Sequence, residues 1–311
     1  MSPQERKGYD LRQQAEKEMK KMFGRDIDTA QELYQRAATQ YKLGKLPDEA
    51  AECYYSMARL RLADDDQNGA AGAYVDAGET LELGSNPEGA VNAINEAVEI
   101  YKETGKFDRA GKQLLKIADL FENKLHESGK ALQAFSDAFD VYSLDPHGTS
   151  SLRKCKENMA MLNAKVGNLD KAAEQFVELG TMCTEKNITK FHAKGFYMKA
   201  IFCHLARGDS VGASEGMDEA SSRDYTFETS SEGKFTTAVV KAFNEKDAEM
   251  FQSQLRSRNE VKPFDEWHTS ILLKILKQIK PEETEEEVFD DLADDSAAGG
   301  DAKGDGLDDL A

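Results

Sequence analysis

Small residues recur every 20 or 21 positions along most of the chain. They are Ala30, Ala50, Ala70, Ala90, Ala110, Ala131, Ser151, Ala172, Ala193 and Ala213. A larger apolar or semi-polar side chain follows each of them four residues later, and a small or aliphatic residue usually returns after seven. Positions i, i+4 and i+7 share one face of an α-helix, so each unit of the pattern predicts one helix with a small residue at its closest packing point.

The length of the unit decides how consecutive helices are connected. A unit of this size holds a helix of about 14–16 residues and a short connection, so each helix should run antiparallel to the next. Two units then form one helical hairpin, and the structural repeat is about 40 residues long, as in helical solenoids.

The predicted connections carry residues that are typical of helix ends. Glycines stand where a C-terminal cap belongs, at Gly44, Gly84, Gly105 and Gly167. Aspartates follow them at Asp48, Asp108 and Asp170, as N-caps or as acids of the first turn. Helix boundaries are therefore expected at these places.

The small-residue pattern ends at Ala220, and bulkier apolar residues follow. Residues 232–258 are typical of short helices, and a last helix is expected from Asp265 to Lys280. That helix has a wide apolar stripe that includes Trp267. A compact helical bundle is therefore predicted near the C-terminus.

The predicted organisation has three parts. Residues 1–230 form an all-α, twisted solenoid of antiparallel helix hairpins that is TPR-like, and a C-terminal helical bundle at 231–281 caps it. Residues 282–311, called the acidic tail below, hold thirteen acidic residues and one lysine, and so contribute −12 to the formal net charge of −18. The acidic tail has too few apolar residues to fold by itself.

Composition and spacing argue against several classes of protein. No apolar stretch approaches the ~20 residues of a membrane span, and the N-terminus lacks an apolar signal core, so a cytosolic protein is expected. The acidic charge argues against nucleic acid as a partner. The cysteines Cys53, Cys155, Cys183 and Cys203 are expected to be buried free thiols. No catalytic, metal or cofactor motif is found. A catalytic site assembled from residues that are distant in sequence stays an alternative.

Four sequence blocks resemble the SNAP family of attachment proteins in the membrane-fusion machinery. They are AGAYVDAG at 71–78, NPEGAVNAINEAVEIY at 86–101, KFHAKGFYMKA at 190–200 and DEWHTSILLKI at 265–275. The resemblance extends from about residue 28 to residue 280. It implies an adaptor, not an enzyme, that binds the assembled SNARE four-helix bundle, syntaxin-type and other SNAREs included. It also implies recruitment and stimulation of the hexameric AAA+ ATPase N-ethylmaleimide-sensitive factor, which disassembles the bundle in vesicular transport.

The resemblance also implies how and where the partners meet. The adaptor would be cytoplasmic, monomeric when free, present in several copies per SNARE complex, and peripheral to the membrane when bound. Lysines that match SNARE-contact positions of the family are Lys112, Lys154 and Lys194, with Lys106 and Lys199 as weaker matches. The alternative is that these are solvated lysines on ordinary helix surfaces.

Two segments depart from the family pattern. Where relatives have an apolar loop for membrane contact, this chain has Met19, Met22 and Phe23 among polar residues, which could insert shallowly or pack as a helix end. For contact with the ATPase, the acidic tail offers Leu292 beside Asp290 and Asp291, or the near-terminal Leu310. Leu292 is favoured slightly, and a tail that only keeps the protein in solution is the alternative.

Two other functions compete with the SNAP adaptor. One is a generic helical-repeat scaffold that binds the peptide tails of another partner, such as a chaperone. The other is an enzyme with a dispersed site.

Overall fold

The computed structural model describes residues 1–21, 26–184 and 189–281, and its regular elements there are all helical. The first seven α-helices are α1 (Pro3–Met19), α2 (Ile27–Leu43), α3 (Pro47–Ala63), α4 (Gln67–Leu83), α5 (Pro87–Glu103), α6 (Phe107–Asp119) and α7 (Ser128–Ser143). The other seven are α8 (Thr149–Lys165), α9 (Leu169–Thr184), α10 (Lys190–Arg207), α11 (Ser210–Arg223), α12 (Ser231–Glu245), α13 (Ala248–Val261) and α14 (Glu266–Ile279). The predicted all-α class is confirmed.

The chain divides into two compact units, with the boundary between Met159 and Ala160. In the first unit the helices from α1 to α7 pack mainly against their neighbours in sequence, as expected of consecutive hairpins. In the second unit α10 packs against α9, α11, α12 and α14. The domain boundary predicted at residue 230 falls inside the second unit and stays a prediction.

The repeated alanines lie in the core. All nine of them have an exposed fraction of 0%, whereas Ser151, which stands in the same series, is half-buried. Most of the larger side chains four residues later are buried as well, for example Tyr34, Ile94 and Phe176, whereas Met217 is half-buried. The predicted helix face is therefore the packing face.

A π-helical segment explains one of the longer steps in the repeat. The helices α2, α3, α4 and α5 each have 17 residues and are followed by three-residue connections, which gives the step of 20. After α6 the helix continues through the five π-helical residues Leu120–Lys124. Since a π-helix has wider turns, this segment absorbs one extra residue, and the step from Ala110 to Ala131 becomes 21.

The connections of the first unit close by a common motif. Lys45, Asp65, Ser85 and Gly105 have φ of 57°, 60°, 62° and 68°, in the left-handed region. The next residue along the chain then donates its N–H to the carbonyl group five residues earlier, as in Leu46 to Tyr41 at 2.9 Å. This is the Schellman arrangement of a helix C-terminus.

The predicted glycines stand at helix ends in two different ways: Gly105 and Gly167 adopt the left-handed region, whereas Gly44 and Gly84 are the C-cap residues of α2 and α4. The latter two have φ of −80° and −82°, so the left-handed residue is the one that follows. At Gly84 the reason for glycine is packing, because a Cβ there would lie 2.3 Å from Cγ of Pro47.

The aspartates of the connections are acids of the first helical turn and not N-caps. Asp48 and Asp108 lie inside α3 and α6, whose N-cap residues are Leu46 and Lys106. Asp170 lies in the first turn of α9. Negative charge there still favours the helix, because it faces the positive end of the helix dipole.

We predict opposite effects on stability from two substitutions at left-handed positions. Ser85→Gly should raise the free energy of unfolding by up to about 1 kcal/mol, because a side chain at positive φ costs ~1–2 kcal/mol and glycine avoids most of that cost. Gly105→Ala should lower it by about 1 kcal/mol through backbone strain alone, since a Cβ there meets nothing within 4 Å. Urea unfolding of both variants checks this, and a loss of stability in Ser85→Gly would contradict it.

The predicted C-terminal helices are present in the second unit. Asp265 caps α14 by accepting the N–H of His268 at 2.8 Å. The predicted apolar stripe of α14 is buried, from Trp267 to Ile279. The last helix before the acidic tail is therefore fixed along its length by packing.

Candidate functional site

Three of the predicted contact lysines lie in the first unit. Lys106 is the N-cap residue of α6, and Lys112 is exposed on the same helix, where its Nζ lies 2.7 Å from Oδ2 of Asp108. Lys154 is exposed on α8 and has no ion pair among the residues that the structure describes. Lys106 and Lys154 therefore carry positive charge that the described fold leaves uncompensated.

Two further basic residues of α6 were missed by the sequence analysis. Lys116 pairs with Glu79 and Glu82 of α4, at 3.2 and 3.3 Å, so its charge is compensated within the protein. The guanidinium group of Arg109 lies 5.9 Å from the centroid of the Tyr101 ring. Arg109 follows Lys106 by three positions, a spacing that places two side chains close together on a helix and could have indicated it.

The two lysines of α10 have different environments. Lys194 is half-buried and has no ion pair within the described part of the chain. The Nζ of Lys199 lies over the rings of Phe176, Phe196 and Trp267, at 5.5, 5.7 and 5.4 Å from their centroids. Cation–π contacts of this kind contribute ~0.5–2 kcal/mol, so Lys199 has a packing role inside the second unit.

Contacts on several sides hold α14, which precedes the acidic tail. The Nζ of Lys274 donates a hydrogen bond to the carbonyl oxygen of Ala164, at 2.9 Å, near the end of α8. Trp267 meets Phe176 edge to face, with 5.4 Å between ring centroids. Burial lowers the pKa of His268, although Nδ1 lies 2.6 Å from Oδ1 of Asp265. The imidazole is accordingly neutral near pH 7. Together these contacts fix the position of α14, the helix that the acidic tail follows.

The cysteine side chains pack in the core of the protein. All four cysteines are free and buried, which confirms the prediction. Burial raises the pKa of Cys53 and Cys203 to about 12 and that of Cys155 to about 11. Thiolate is the reactive form, so these side chains are poor nucleophiles at neutral pH. In the described ranges no group of three or more His, Cys, Asp or Glu side chains could hold a metal ion.

Most of the predicted membrane and ATPase contacts lie outside the described residues. Met19 is the half-buried last residue of α1, whereas Met22 and Phe23 fall in the undescribed range 22–25. Leu292, Leu310 and the pair Asp290 and Asp291 fall in the undescribed acidic tail. No described helix is both long enough and apolar enough to cross a membrane.

The described residues form an all-α protein of helical hairpins, in which Lys106, Lys154 and Lys194 have no ion pair. Residues 6–280 match the family described as soluble NSF attachment protein, SNAP. The chain therefore belongs to the SNAP family. Members of this family are adaptors and not enzymes, in agreement with the expectation of no catalytic site.

Individual relatives are similar over almost their whole length. The chain is 28% identical over 281 residues to the alpha-soluble NSF attachment protein of Vitis vinifera, covering 90% of this chain and 96% of the relative. It is 28% identical over 285 residues to the beta-soluble NSF attachment protein of Bos taurus, covering 89% and 95%. The crystal structure of BtubC from P. vanneervenii matches with a TM-score of 0.40 and 14% identity, covering 74% of this chain and 94% of that one.

Proposed function

We propose that this chain is an adaptor that binds the assembled SNARE bundle and recruits N-ethylmaleimide-sensitive factor, which then disassembles the bundle. The observation that carries this proposal is the family match over residues 6–280. Relatives named as NSF attachment proteins are covered over 96% and 95% of their length.

The charges of the described lysines support a role in binding an acidic partner. Many exposed lysines are compensated by an acid one turn away, such as Lys102 by Glu99 at 2.9 Å. Among the predicted contacts, the side chains of Lys106, Lys154 and Lys194 have no such acid in the described part of the chain. Lys112 would have to leave Asp108, which costs little because an exposed ion pair contributes only ~0–1 kcal/mol.

A binding experiment separates the adaptor from a generic peptide-binding scaffold. The purified chain is immobilised and offered either the assembled SNARE bundle or isolated SNARE tail peptides. The adaptor should retain the bundle and not the peptides, whereas a tail-binding scaffold would show the reverse preference. Light scattering on the same samples should give a monomer for the unbound chain and more than one copy per bundle.

We also propose a weak peripheral membrane contact through the segment around Phe23. Phe23→Ser should reduce association with liposomes containing anionic lipid modestly, by roughly 2- to 5-fold, because one shallowly inserted side chain contributes ~1 kcal/mol. Binding to the SNARE bundle in solution should not change. Flotation of liposomes measures this, with Leu83→Ser as the control, since Leu83 is 82% exposed at the end of α4. If the wild-type chain does not float with the liposomes, the proposed membrane contact is wrong.

A further inference from the structure

The last turn of α14 lies against the ends of two other helices of the second unit. The Nζ of Lys246, the C-cap residue of α12, donates a hydrogen bond to the carbonyl oxygen of Gln278 at 3.2 Å. Gly208, the C-cap residue of α10, is so close to Gln278 that a Cβ there would lie 3.1 Å from its Oε1. The acidic tail begins three residues after the end of α14 at Ile279. These contacts therefore hold the helix end from which the tail starts.

The contact between Lys246 and Gln278 suits the end of a helix. The last four carbonyl groups of an α-helix have no N–H partner within the helix. Gln278 is the last residue but one of α14, so its carbonyl group is one of these four. A cation is favoured at this place as well, because the C-terminal end of the helix dipole is negative. Lys246 thus stabilises the last turn of α14 by a hydrogen bond and by its charge.

A second contact restricts the ammonium group of Lys246. Its Nζ lies 4.3 Å from the centroid of the Phe243 ring, and Phe243 is buried one turn earlier on α12. Such a cation–π contact favours one arrangement of a side chain that is otherwise flexible. Within the described ranges Lys246 has no carboxylate partner that would draw it away. The ammonium group is therefore held between an aromatic ring and the carbonyl oxygen of another helix.

The backbone at Lys246 favours glycine, and not lysine. Its φ of 56° and ψ of 33° lie in the left-handed region, where a side chain strains the backbone and glycine does not. This conformation does not by itself indicate a function, because the exposed Lys45 shares it at φ 57°. What distinguishes Lys246 is its contact with α14. The side chain, and not the turn, accounts for a lysine at this position.

The start of the acidic tail matters because the tail acts as a tether. Leu292, the expected contact with the ATPase, lies about 14 residues beyond Gln278. A tethered contact forms at an effective concentration that falls with roughly the −3/2 power of the tether length or more steeply. Fraying of the last turn of α14 would add about four residues to the tether and lower that concentration by roughly 1.5-fold through length alone. It would also leave the tether without a fixed origin.

We propose that Lys246 is a positioning residue for stimulation of the ATPase. By holding the last turn of α14 it fixes the point from which the acidic tail starts, and it contacts neither the ATPase nor the SNARE bundle. The inference rests on the proposed function, and in particular on the contact between the tail and the ATPase. It gives a role to a residue that lies outside the tail and outside the predicted contact lysines.

Lys246→Gly removes the contact without straining the turn. Glycine suits the left-handed position, so the midpoint of urea unfolding should stay close to that of the wild type. Amide hydrogen exchange in the peptide 272–281 should become roughly 2- to 5-fold faster, because the last turn of α14 frays. Maximal stimulation of the ATPase in the presence of assembled bundle should fall by roughly 2- to 3-fold, with binding of the bundle unchanged.

Two further variants show whether the effect belongs to this side chain. Lys45→Gly is the matched control, because Lys45 is also exposed and left-handed after a helix, has no ion pair among the described residues, and lies in the first unit. Its stimulation should equal that of the wild type. Lys246→Arg keeps a cation that can donate to a carbonyl group and stack on a ring, so it should restore most of the stimulation.

A flexible linker separates positioning from direct contact with the ATPase. Insertion of about six Gly and Ser residues after Pro281 frees the tail from α14, and should itself lower stimulation. In that chain Lys246→Gly should cause no further loss, because the helix end no longer fixes the tail. A further loss of the same size would mean that Lys246 contacts the ATPase directly, and would overturn the positioning role.

The outcomes separate this inference from the proposed function. If the wild type stimulates the ATPase and Lys246→Gly stimulates it equally well, the positioning role is wrong while the adaptor stands. If Lys246→Gly lowers the urea midpoint and Lys246→Arg does not restore stimulation, the role of Lys246 is only structural. A wild-type chain that binds no bundle and stimulates no ATPase would overturn the proposed function, and the positioning role with it.

Discussion

Reversing Lys112 and Lys154 to glutamate should weaken binding of the SNARE bundle by roughly 10- to 100-fold. Each substitution replaces an attraction to an acidic partner by a repulsion, and two such changes amount to ~1.4–2.8 kcal/mol. Lys154→Glu should have the larger single effect, because Lys112 is already shared with Asp108 at 2.7 Å. Wild-type binding should also fall as salt rises, since charge interactions are screened over ~8 Å at physiological ionic strength.

The control for this experiment keeps the change in net charge the same. Lys102 and Lys241 are exposed lysines with an acid about one turn away, like Lys112, and are not among the predicted contacts. Their double reversal to glutamate should leave binding within about 2-fold of the wild type. Circular dichroism confirms that the helices persist in both double variants. If the variant with both Lys112 and Lys154 reversed binds the bundle as well as the wild type does, these two lysines are not part of the binding site.

Truncation after Pro281 should abolish most of the stimulation of the ATPase while leaving binding of the SNARE bundle intact. The acidic tail carries −12 of the charge, which suits the approach to a basic surface, and a leucine can fix the docked state. One leucine contributes ~1.5–3 kcal/mol when fully buried, which corresponds to roughly 10- to 150-fold in affinity. Leu292→Ala should therefore reproduce much of the defect of the truncation.

The tail offers its own matched controls. Leu307→Ala removes a leucine from the same acidic segment and should leave stimulation unchanged. Leu310→Ala decides between the two candidate positions, because a loss only in this variant would move the contact to the chain terminus. Full bundle disassembly by the truncated chain would show that the tail only keeps the protein in solution.

The helical fold could be predicted because one short-range rule repeats along the chain. Each helix needs an alanine where it packs against the next helix, so alanines recur at a period that is visible in the sequence. Ala90 and its equivalents are fully buried. The last helix was predicted as well, since Asp265, Trp267 and Pro281 mark its start, its apolar face and its end. These signals are local, so they do not depend on knowing the tertiary structure.

Features that depend on tertiary contacts could not be predicted in this way. Gly84 was predicted as a helix cap, and it is the C-cap of α4, but the requirement for glycine there comes from Pro47 of another helix, which a Cβ would meet. The packing of the Lys199 ammonium group over Phe176, Phe196 and Trp267 could not be seen in the sequence, and its SNARE contact stays a prediction.

The central claim is that this chain links a SNARE bundle to the ATPase. Disassembly of a fluorescently labelled bundle by N-ethylmaleimide-sensitive factor and ATP tests it most directly, with and without the purified chain. The proposal predicts ATP-dependent disassembly only when the chain is present, with a rate that rises with its concentration and then saturates. A bundle that stays assembled at every concentration, although an active relative disassembles it under the same conditions, would contradict the proposal.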